Sequence, residues 1–245
     1  MSLLAQVVRG KRKAPPRVML YGVHGIGKST WPSSIPGVVY LETEEGTNEI
    51  DVPRFPLATS WEMVLSILSE LYSETHEHSA LVIDTLDWME KLIHAEVCRK
   101  HNVSTIEDIG YGKGSVYALG YWRQLLEGLD ALRTQKGMAI ILLAHSTIQR
   151  FENPETEAYD RYTPRLEKKA AAVIQEWCDG VFFASYRTMT RSEDKGFNKK
   201  RVLGMSTGER VIRTEERPAH LAKNRWSLPL ELPLSWDEFA KHLSN

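Results

Sequence analysis

Residues 17–30 read Arg-Val-Met-Leu-Tyr-Gly-Val-His-Gly-Ile-Gly-Lys-Ser-Thr, and this stretch decides the fold. Val18–Tyr21 predicts a short buried strand, and Gly22–Ser29 matches the phosphate-binding pattern G-x-x-x-x-G-K-[ST]. Glycines let the backbone bend around an anion, so that successive N–H groups point at phosphate oxygens. The stretch therefore predicts an α/β domain that binds a nucleoside triphosphate.

The predicted phosphate loop gives two of its side chains specific roles. We expect the Lys28 ammonium to reach the β- and γ-phosphates and to assist catalysis, and the Ser29 hydroxyl to bind Mg²⁺. The residues predicted to bind the nucleotide are Gly22, Val23, His24, Gly25, Ile26, Gly27, Lys28, Ser29 and Thr30. Trp31-Pro32 follows at once, and because proline has no N–H we expect a short or distorted helix there.

Length and composition fit one globular α/β domain: 245 residues, 42% hydrophobic, 26% charged and a net charge of −1. Cys98 and Cys178 stand apart without metal-ligand spacing, which indicates a reducing compartment. The first residues lack the apolar core of a signal peptide, and no run approaches the ~20 apolar residues of a membrane span. We therefore expect a soluble, intracellular protein with no membrane partner.

Charge is unevenly distributed along the chain. Residues 1–17 contain five basic and no acidic residues, and residues 187–225 contain eleven basic and five acidic ones. Residues 42–51 contain five acids. Basic ends around an acidic middle favour a polyanionic partner, and ordinary solvated surface charge is the alternative.

An aspartate ends the strongly apolar segment Ala80–Asp84. A carboxylate at this point of a nucleotide-binding sheet holds Mg²⁺ on the side opposite the phosphate-loop hydroxyl. We therefore predict that Asp84 and Ser29 form the metal site. The alternative is an aspartate that caps the following helix.

A cluster of glutamates follows another apolar segment, Val38–Leu41. Carboxyl ends of parallel strands face the ligand in α/β sheets, so one glutamate can orient the water that attacks the γ-phosphate. We predict Glu44 for this role, with Glu42 and Glu45 as competing candidates. A solvated acidic loop is the alternative.

The most apolar segment, Met138–Ala144, ends at His145. A polar side chain at this position would lie beside the γ-phosphate and respond to its loss, so we predict a catalytic sensor role for His145. The alternative is a histidine that caps a helix or lies at the edge of the core.

Two segments combine aromatic and basic side chains, which is typical of single-stranded nucleic-acid binding. Residues 109–114 alternate glycines with Tyr111 and Lys113, although a flexible connector explains them nearly as well. Residues 146–166 predict a long loop. Its candidate contacts are Arg150, Phe151, Arg161 and Tyr162. Residues 187–213 predict an antiparallel hairpin with a polar tip near Asp194 and a turn at Thr207-Gly208.

The order of these signals resembles the RecA-like recombinase core, and most closely its short phage-encoded members that act as single-strand annealing or recombination ATPases. The resemblance covers about residues 15–226. It implies a RecA-like P-loop NTPase of the α/β class, with a mainly parallel central sheet flanked by helices and antiparallel C-terminal edge strands. The whole of 1–245 would be one domain, with a basic lead-in (1–16), a basic hairpin region (187–226) and a C-terminal tail and helix (227–245).

The resemblance also implies roles for individual residues. Glu44 matches the water-activating glutamate and His145 the sensor, although bacterial recombinases carry glutamine there. Residues 109–114 and 146–166 match the two DNA-binding loops. Basic residues that would complete a neighbouring subunit's site are Lys200, Arg201, Lys223 and Arg225.

The sequence therefore predicts an ATP- and Mg²⁺-dependent ATPase, stimulated by DNA, that binds single-stranded DNA and promotes annealing or homologous recombination. The resemblance implies self-association into a ring or filament, a single-stranded-DNA-binding protein as a candidate partner, and a place in the cytoplasm, that of the host if a phage encodes the chain. The alternatives are a ring-forming helicase motor and a P-loop kinase or other nucleotide-handling enzyme.

Overall fold

The parallel strands at the centre of the sheet are the apolar segments of the sequence, and nearly all of their side chains are buried. The structure is a computed structural model that describes residues 3–10, 13–194 and 200–243, without the side chains of 189–206. Its strands are β1 (Arg17–Gly22), β2 (Val38–Glu42), β3 (Ala80–Asp84), β4 (Ala139–Phe151), β5 (Tyr159–Pro164), β6 (Gly180–Asp194), β7 (Lys200–Arg213), β8 (Lys223–Asn224) and β9 (Glu231–Pro233).

The directions of the strands agree with the predicted sheet. Within the described residues the order is β2-β3-β4-β1-β6-β7-β9, while β5 pairs with β4 and β8 with β6. The five strands from β2 to β6 in this order are parallel, and β7 and β9 add antiparallel pairs at the C-terminal edge. The mainly parallel sheet with antiparallel C-terminal edge strands is therefore confirmed.

Helices pack on one face of the sheet because each has an apolar stripe at helical spacing. They are α1 (Trp61–Ser73), α2 (Leu86–His101), α3 (Lys113–Gln135) and α4 (Lys168–Trp177), and a short α5 (Trp236–Ala240) follows β9. In α1 the buried positions include Trp61, Val64 and Leu68, and the Ser60 hydroxyl caps the first turn by accepting a hydrogen bond from Met63 N.

The opposite face is covered by aromatic side chains from distant parts of the chain. A single 3₁₀ turn, Trp31–Ser34, follows the phosphate loop, and Trp31 packs against Trp236 of α5 with ring centroids 5.0 Å apart. Phe239 packs against both of these rings. The predicted short helix is confirmed, and α5 supplies part of the apolar cover for this face of the sheet.

Three loop or turn expectations need correction. Residues 146–166 contain a β-hairpin in place of the predicted long loop, because β4 continues past the sheet and pairs with β5 from Ser146↔Pro164 to Phe151↔Tyr159. Residues 148–150 of this ribbon are exposed, and its buried positions include the polar Thr163, so its sequence lacks the apolar alternation that would have revealed it. The predicted turn at Thr207-Gly208 lies inside β7, and Lys113 begins α3. The predicted polar tip falls on 195–199, outside the described residues.

Candidate functional site

The carboxyl ends of the central strands bring the predicted site residues to one edge of the sheet. In the strand register Gly22 lies beside His145, and Glu42 lies beside Asp84. A cleft of about 430 Å³ opens there, which we call the phosphate-loop cleft. It is lined by His24, Gly25, Gly27, Lys28, Ser29, Thr30, Glu44, Glu45, Gly46, Glu49, Ile50, Asp84, Thr85, His145 and Arg210.

The backbone of the phosphate loop depends on its glycines. Gly27 has φ +105°, a conformation that side chains rarely adopt. Gly22 lies so close to β6 that a Cβ atom would be 2.5 Å from the Ala184 carbonyl oxygen. The sequence pattern therefore reports real steric requirements at these two positions.

The Lys28 side chain is folded over the loop. Its Nζ donates to the carbonyl oxygens of Val23 at 3.0 Å and of Gly22 at 3.3 Å, and only 6% of the residue is exposed. Burial lowers the pKa of this ammonium, against the attraction of Asp84, Asp87 and Glu44. These weak carbonyl contacts leave the cation available to an anion in the cleft.

Asp84 has the character of a cation ligand. Its Oδ2 is buried and has no hydrogen-bond partner among the described residues. Burial raises the pKa of Asp84 to about 6, and a hydrogen bond from Ser29 opposes this rise. A buried carboxylate oxygen that lacks a partner, beside a hydroxyl group, suits a hard divalent cation such as Mg²⁺.

The structure distinguishes between the three candidate glutamates. Glu42 is buried and accepts a hydrogen bond from the Thr47 hydroxyl, outside the cleft lining. Glu44 lies in the cleft, and Thr85 Oγ1 donates to its Oε1 at 2.7 Å. Glu45 lines the cleft in an exposed position. Of the three, Glu44 has the carboxylate that is both accessible to the cleft and fixed by the end of β3.

Thr85 is itself fixed by Thr43. The Thr43 hydroxyl donates to Thr85 O at 2.7 Å, and Thr85 N donates to the same hydroxyl at 2.9 Å. Thr43 N also donates to Asp84 O at 2.8 Å. These bonds join the ends of β2 and β3, so that Glu44 and Asp84 keep a fixed relative position.

His145 is held by an ion-pair network that reaches α2. Asp87 accepts from His145 N at 3.0 Å, and the His145 ring Nδ1 lies 3.0 Å from Asp87 Oδ2. Arg165 Nη2 donates to the same oxygen at 2.5 Å. Burial opposes the charge of Asp87, but these hydrogen bonds dominate and hold the pKa of that carboxyl well below its ordinary value.

The other neighbours of His145 belong to the cleft. Its Nδ1 lies 3.8 Å from Glu44 Oε1, and its ring stacks on His24 with centroids 3.9 Å apart. The electrostatic interaction with His145 lowers the pKa of His24, and burial and Lys28 add to this. The site therefore brings Lys28, Glu44, Asp84 and His145 together, as the sequence predicts.

Sequence reasoning missed three participants. The sequence predicts no catalytic or binding role for Asp87, whereas its carboxylate holds His145. The sequence signal for this role of Asp87 was its position three residues after Asp84. Arg165 and Arg210 reach the site from β5–α4 and β7, and their distance along the chain from the phosphate loop gives no sequence signal.

The first predicted DNA-binding segment lies at the start of α3. Tyr111 is fully exposed, with φ +49° between two glycines of positive φ. Lys113 is exposed in the first turn of α3. The Tyr111 ring and the Lys113 ammonium are both accessible to solvent. Their role in DNA binding stays a prediction.

The second predicted segment has an exposed part and a packed part. Arg150 is exposed on β4, whereas Arg161 pairs with Glu216 at 2.9 Å and has only 14% of its side chain exposed. The Arg161 guanidinium covers one face of Phe151, 3.9 Å from the ring centroid. Tyr162 stacks on Phe183. Arg150 and the free face of Phe151 are therefore the accessible part of this predicted surface.

Two of the basic residues predicted to act on a neighbouring subunit are occupied within their own chain. Lys223 Nζ donates to three carbonyl oxygens at the end of α4, those of Gln175, Glu176 and Cys178, at 2.7–2.8 Å. Arg225 pairs with Asp179 at 3.0 Å. The side chains of Lys200 and Arg201 lie outside the described residues.

Comparison with protein families identifies the chain. A family model described as an AAA domain matches residues 14–226. The chain belongs to this AAA domain family. It is a P-loop ATPase with a RecA-like α/β fold, as the phosphate loop and strand order indicate. Among the helices that the structure describes, none combines the length and apolar composition needed to cross a bilayer.

Two further proteins resemble this AAA domain. The SPbeta prophage-derived uncharacterized protein YorG of Bacillus subtilis (strain 168) is 22% identical over 219 residues, which cover 87% of this chain and 62% of that protein. The chain thus spans less than two thirds of the length of this curated relative. The crystal structure of the RadB recombinase aligns with a TM-score of 0.46 and 14% identity, covering 85% of this chain and 86% of RadB.

Proposed function

We propose that this chain is an ATP- and Mg²⁺-dependent ATPase that binds single-stranded DNA and promotes annealing or homologous recombination. The observation that carries the proposal is the course of β4. The same strand ends its buried part at His145 in the phosphate-loop cleft and continues as the exposed hairpin with Arg150 and Phe151. One continuous strand therefore joins the γ-phosphate end of the cleft to a surface suited to single-stranded DNA.

In this proposal the chain's own residues divide the work of ATP hydrolysis. The loop amides and Lys28 bind the phosphates, and Ser29 and Asp84 would hold Mg²⁺, which neutralises charge on the phosphates when bound. Glu44 accepts a proton from the attacking water, and Thr85 orients its carboxylate. His145, fixed by Asp87, donates a hydrogen bond toward the γ-phosphate end of the cleft.

The DNA surface of this proposal is the exposed part of the hairpin together with the start of α3. Bases would stack on Phe151 and Tyr111, and Arg150 and Lys113 would contact phosphates. Self-association into a ring or filament along the strand belongs to the same proposal, with a single-stranded-DNA-binding protein as a candidate partner and the host cytoplasm as the place of action. The prophage origin of one relative supports a phage context.

Phosphate release measured with and without single-stranded DNA tests the proposal. We expect strong stimulation by DNA, and faster pairing of complementary strands in the presence of ATP. Unwinding of a forked duplex without any effect on pairing would favour the ring helicase motor instead. ATP turnover that is not stimulated by DNA but is accelerated by a small-molecule phosphate acceptor would favour the kinase alternative.

A further inference from the structure

Arg210 of β7 is a basic residue that lines the phosphate-loop cleft and has no part in the steps proposed for ATP hydrolysis. Its guanidinium Nη1 lies 3.1 Å from the point where a Cβ atom on Gly27 would be. It lines the same cleft as Lys28 and Ser29, although 182 residues separate it from Lys28 in the chain. The C-terminal edge of the sheet thus brings a cation to the phosphate loop.

The backbone around Arg210 is fixed by its neighbours. Arg210 pairs with Tyr186 of β6, and Leu234 N donates to Arg210 O at 3.0 Å. The Leu234 side chain lies 3.4 Å from the same Cβ position of Gly27. Arg210 and Leu234 therefore face the phosphate loop from two adjacent segments, and the backbone that carries the exposed Arg210 side chain is fixed.

The charge of Arg210 is not neutralised by nearby carboxylates, unlike that of its neighbours. Arg187 pairs with Glu231 at 2.6 Å, and Arg213 pairs with the same glutamate at 3.3 Å. Arg210 forms no ion pair with any side chain that the structure describes. A guanidinium without a carboxylate partner at the rim of an anion-binding loop points to an anionic ligand.

We propose that Arg210 binds the α- and β-phosphates of the nucleotide in the same subunit. Gly27 belongs to the part of the loop whose amides surround the α- and β-phosphates, whereas Glu44 and His145 mark the γ-phosphate end of the cleft. A guanidinium beside Gly27 matches phosphate oxygens through its planar pair of N–H donors. The inference rests on the proposed nucleotide site and adds a contact to it.

This placement has two consequences. ATP and ADP share the α- and β-phosphates, so Arg210 contributes equally to the affinity for both nucleotides. Because the residue belongs to the same subunit, this contribution is present in a single chain. The loss of affinity caused by Arg210→Ala is therefore expected to be the same at protein concentrations below and above the range in which the subunits associate.

Calorimetric titration of the full chain with ATP and with ADP, each with Mg²⁺, tests the assignment. Arg210→Ala is expected to weaken the binding of both nucleotides about tenfold, and Arg210→Lys to recover part of the loss because the charge remains. Arg217→Ala is the matched control, since Arg217 is an exposed arginine outside the cleft lining. Arg210→Gln serves if the alanine variant melts at a lower temperature than the parent.

The outcomes separate this inference from the proposed function. If the parent chain binds neither nucleotide, the nucleotide site itself is wrong. If the parent binds ATP and both Arg210→Ala and Arg210→Gln bind it equally well, only the Arg210 assignment fails. A loss of ATP affinity with unchanged ADP affinity would place the guanidinium at the γ-phosphate and overturn the α- and β-phosphate contact. A loss of affinity in Arg210→Ala that appears only at concentrations where subunits associate would overturn the single-subunit contact.

Discussion

Strand β4 passes through two regions that differ in burial and in how their charges are held. Residues 139–145 are buried, and His145 is fixed by Asp87, Arg165 and Glu44 around the phosphate-loop cleft. Residues 148–150 are exposed, and Arg150 has only a loose contact with the exposed Glu152. Positioned charges suit a reaction that needs fixed geometry, whereas accessible, loosely held cations and rings suit a flexible single-stranded ligand.

The largest expected effect is in the cleft, at Lys28. Lys28→Ala should weaken ATP binding by at least about 100-fold, because the ammonium meets the phosphates in a buried site. Calorimetry with ATP and Mg²⁺ measures this. Lys241→Ala removes an exposed lysine of the C-terminal segment and is the control. If Lys28→Ala and Lys241→Ala bound ATP equally well, the buried lysine of the cleft would contribute no more to ATP binding than an exposed lysine, and the comparison between the two regions would fail.

Glu44→Gln tests the chemistry of the cleft separately from binding. The variant should bind ATP like the parent but release phosphate about 100-fold more slowly, because a glutamine cannot accept the proton of the attacking water. Glu45→Gln is the matched control, being a neighbouring glutamate that lines the cleft in an exposed position. Slow turnover in Glu45→Gln with normal turnover in Glu44→Gln would exchange the two assignments.

Asp87→Asn tests whether the network around His145 stabilises the fold. Removing one partner of a buried ion pair should lower the free energy of unfolding by about 3 kcal/mol near neutral pH. The folded-state pKa of Asp87 is depressed, so its contribution is present above the ordinary value of 3.8 and is lost as the pH falls below it. The difference from the parent should therefore shrink in acid, as urea unfolding at several pH values would show.

A suitable control for Asp87→Asn is Asp160→Asn on the exposed hairpin, which should change stability little at any pH. A stability gap between parent and Asp87→Asn that stays constant from neutral pH to acid would show that the charge of Asp87 is not what stabilises the fold.

Phe151→Ala tests the exposed half of β4. Loss of a stacking ring should weaken single-stranded DNA binding about tenfold and leave ATP affinity unchanged, since Phe151 lies outside the cleft lining. Fluorescence anisotropy with a labelled oligonucleotide measures the first effect. Tyr72→Ala, an exposed aromatic residue of α1, is the control. DNA binding that is unaffected by Phe151→Ala would move the DNA surface elsewhere.

The smallest expected effect is at Glu90, one turn after Asp87 on α2. Its carboxylate accepts from Glu167 N at 3.0 Å, and burial raises its pKa to about 7, with the charges of Glu167 and Asp87 adding to the rise. A raised carboxyl pKa means that the folded state loses stability as the pH rises from about 4.5 through about 7. Glu90→Gln cannot ionise and should be about 1 kcal/mol more stable than the parent above pH 7, allowing for solvent screening.

Thermal melts at pH 4.5 and pH 8 measure this difference, which should appear only at the higher pH. Glu127→Gln, an exposed glutamate of α3, is the control and should show no pH-dependent gain. If Glu90→Gln and the parent melted at the same temperature at pH 8, the ionisation of Glu90 would not destabilise the folded state and the prediction would be wrong.

Local patterns were sufficient to predict the parallel sheet and most of the cleft. The strands β1, β3 and the first part of β4 are continuous apolar runs, a pattern that burial on both faces imposes. The polar residues that end the runs of β3 and β4 lie at the same sheet edge because the strands are parallel. Asp84 and His145 could therefore be found without the structure, and so could Lys28 from its motif.

Other features had no local pattern to reveal them. The hairpin of β4 and β5 has exposed residues at 148–150 and polar or aromatic residues at its packed positions, so its sequence does not alternate as a half-buried apolar strand does. The choice of Glu44 over Glu42 depends on a bond from Thr85, which lies 41 residues away at the start of α2.

The sequence alone determined that a phosphate loop follows a buried strand, because both depend on residues adjacent in the chain. The tertiary structure alone decided that Asp87 and Arg165 fix His145, and that Arg210 faces Gly27. These contacts join residues separated by 58 to 183 positions in the chain. Only the pairing of strands and the packing of helices brings such segments within hydrogen-bonding distance, and no pattern along the chain encodes which partners meet.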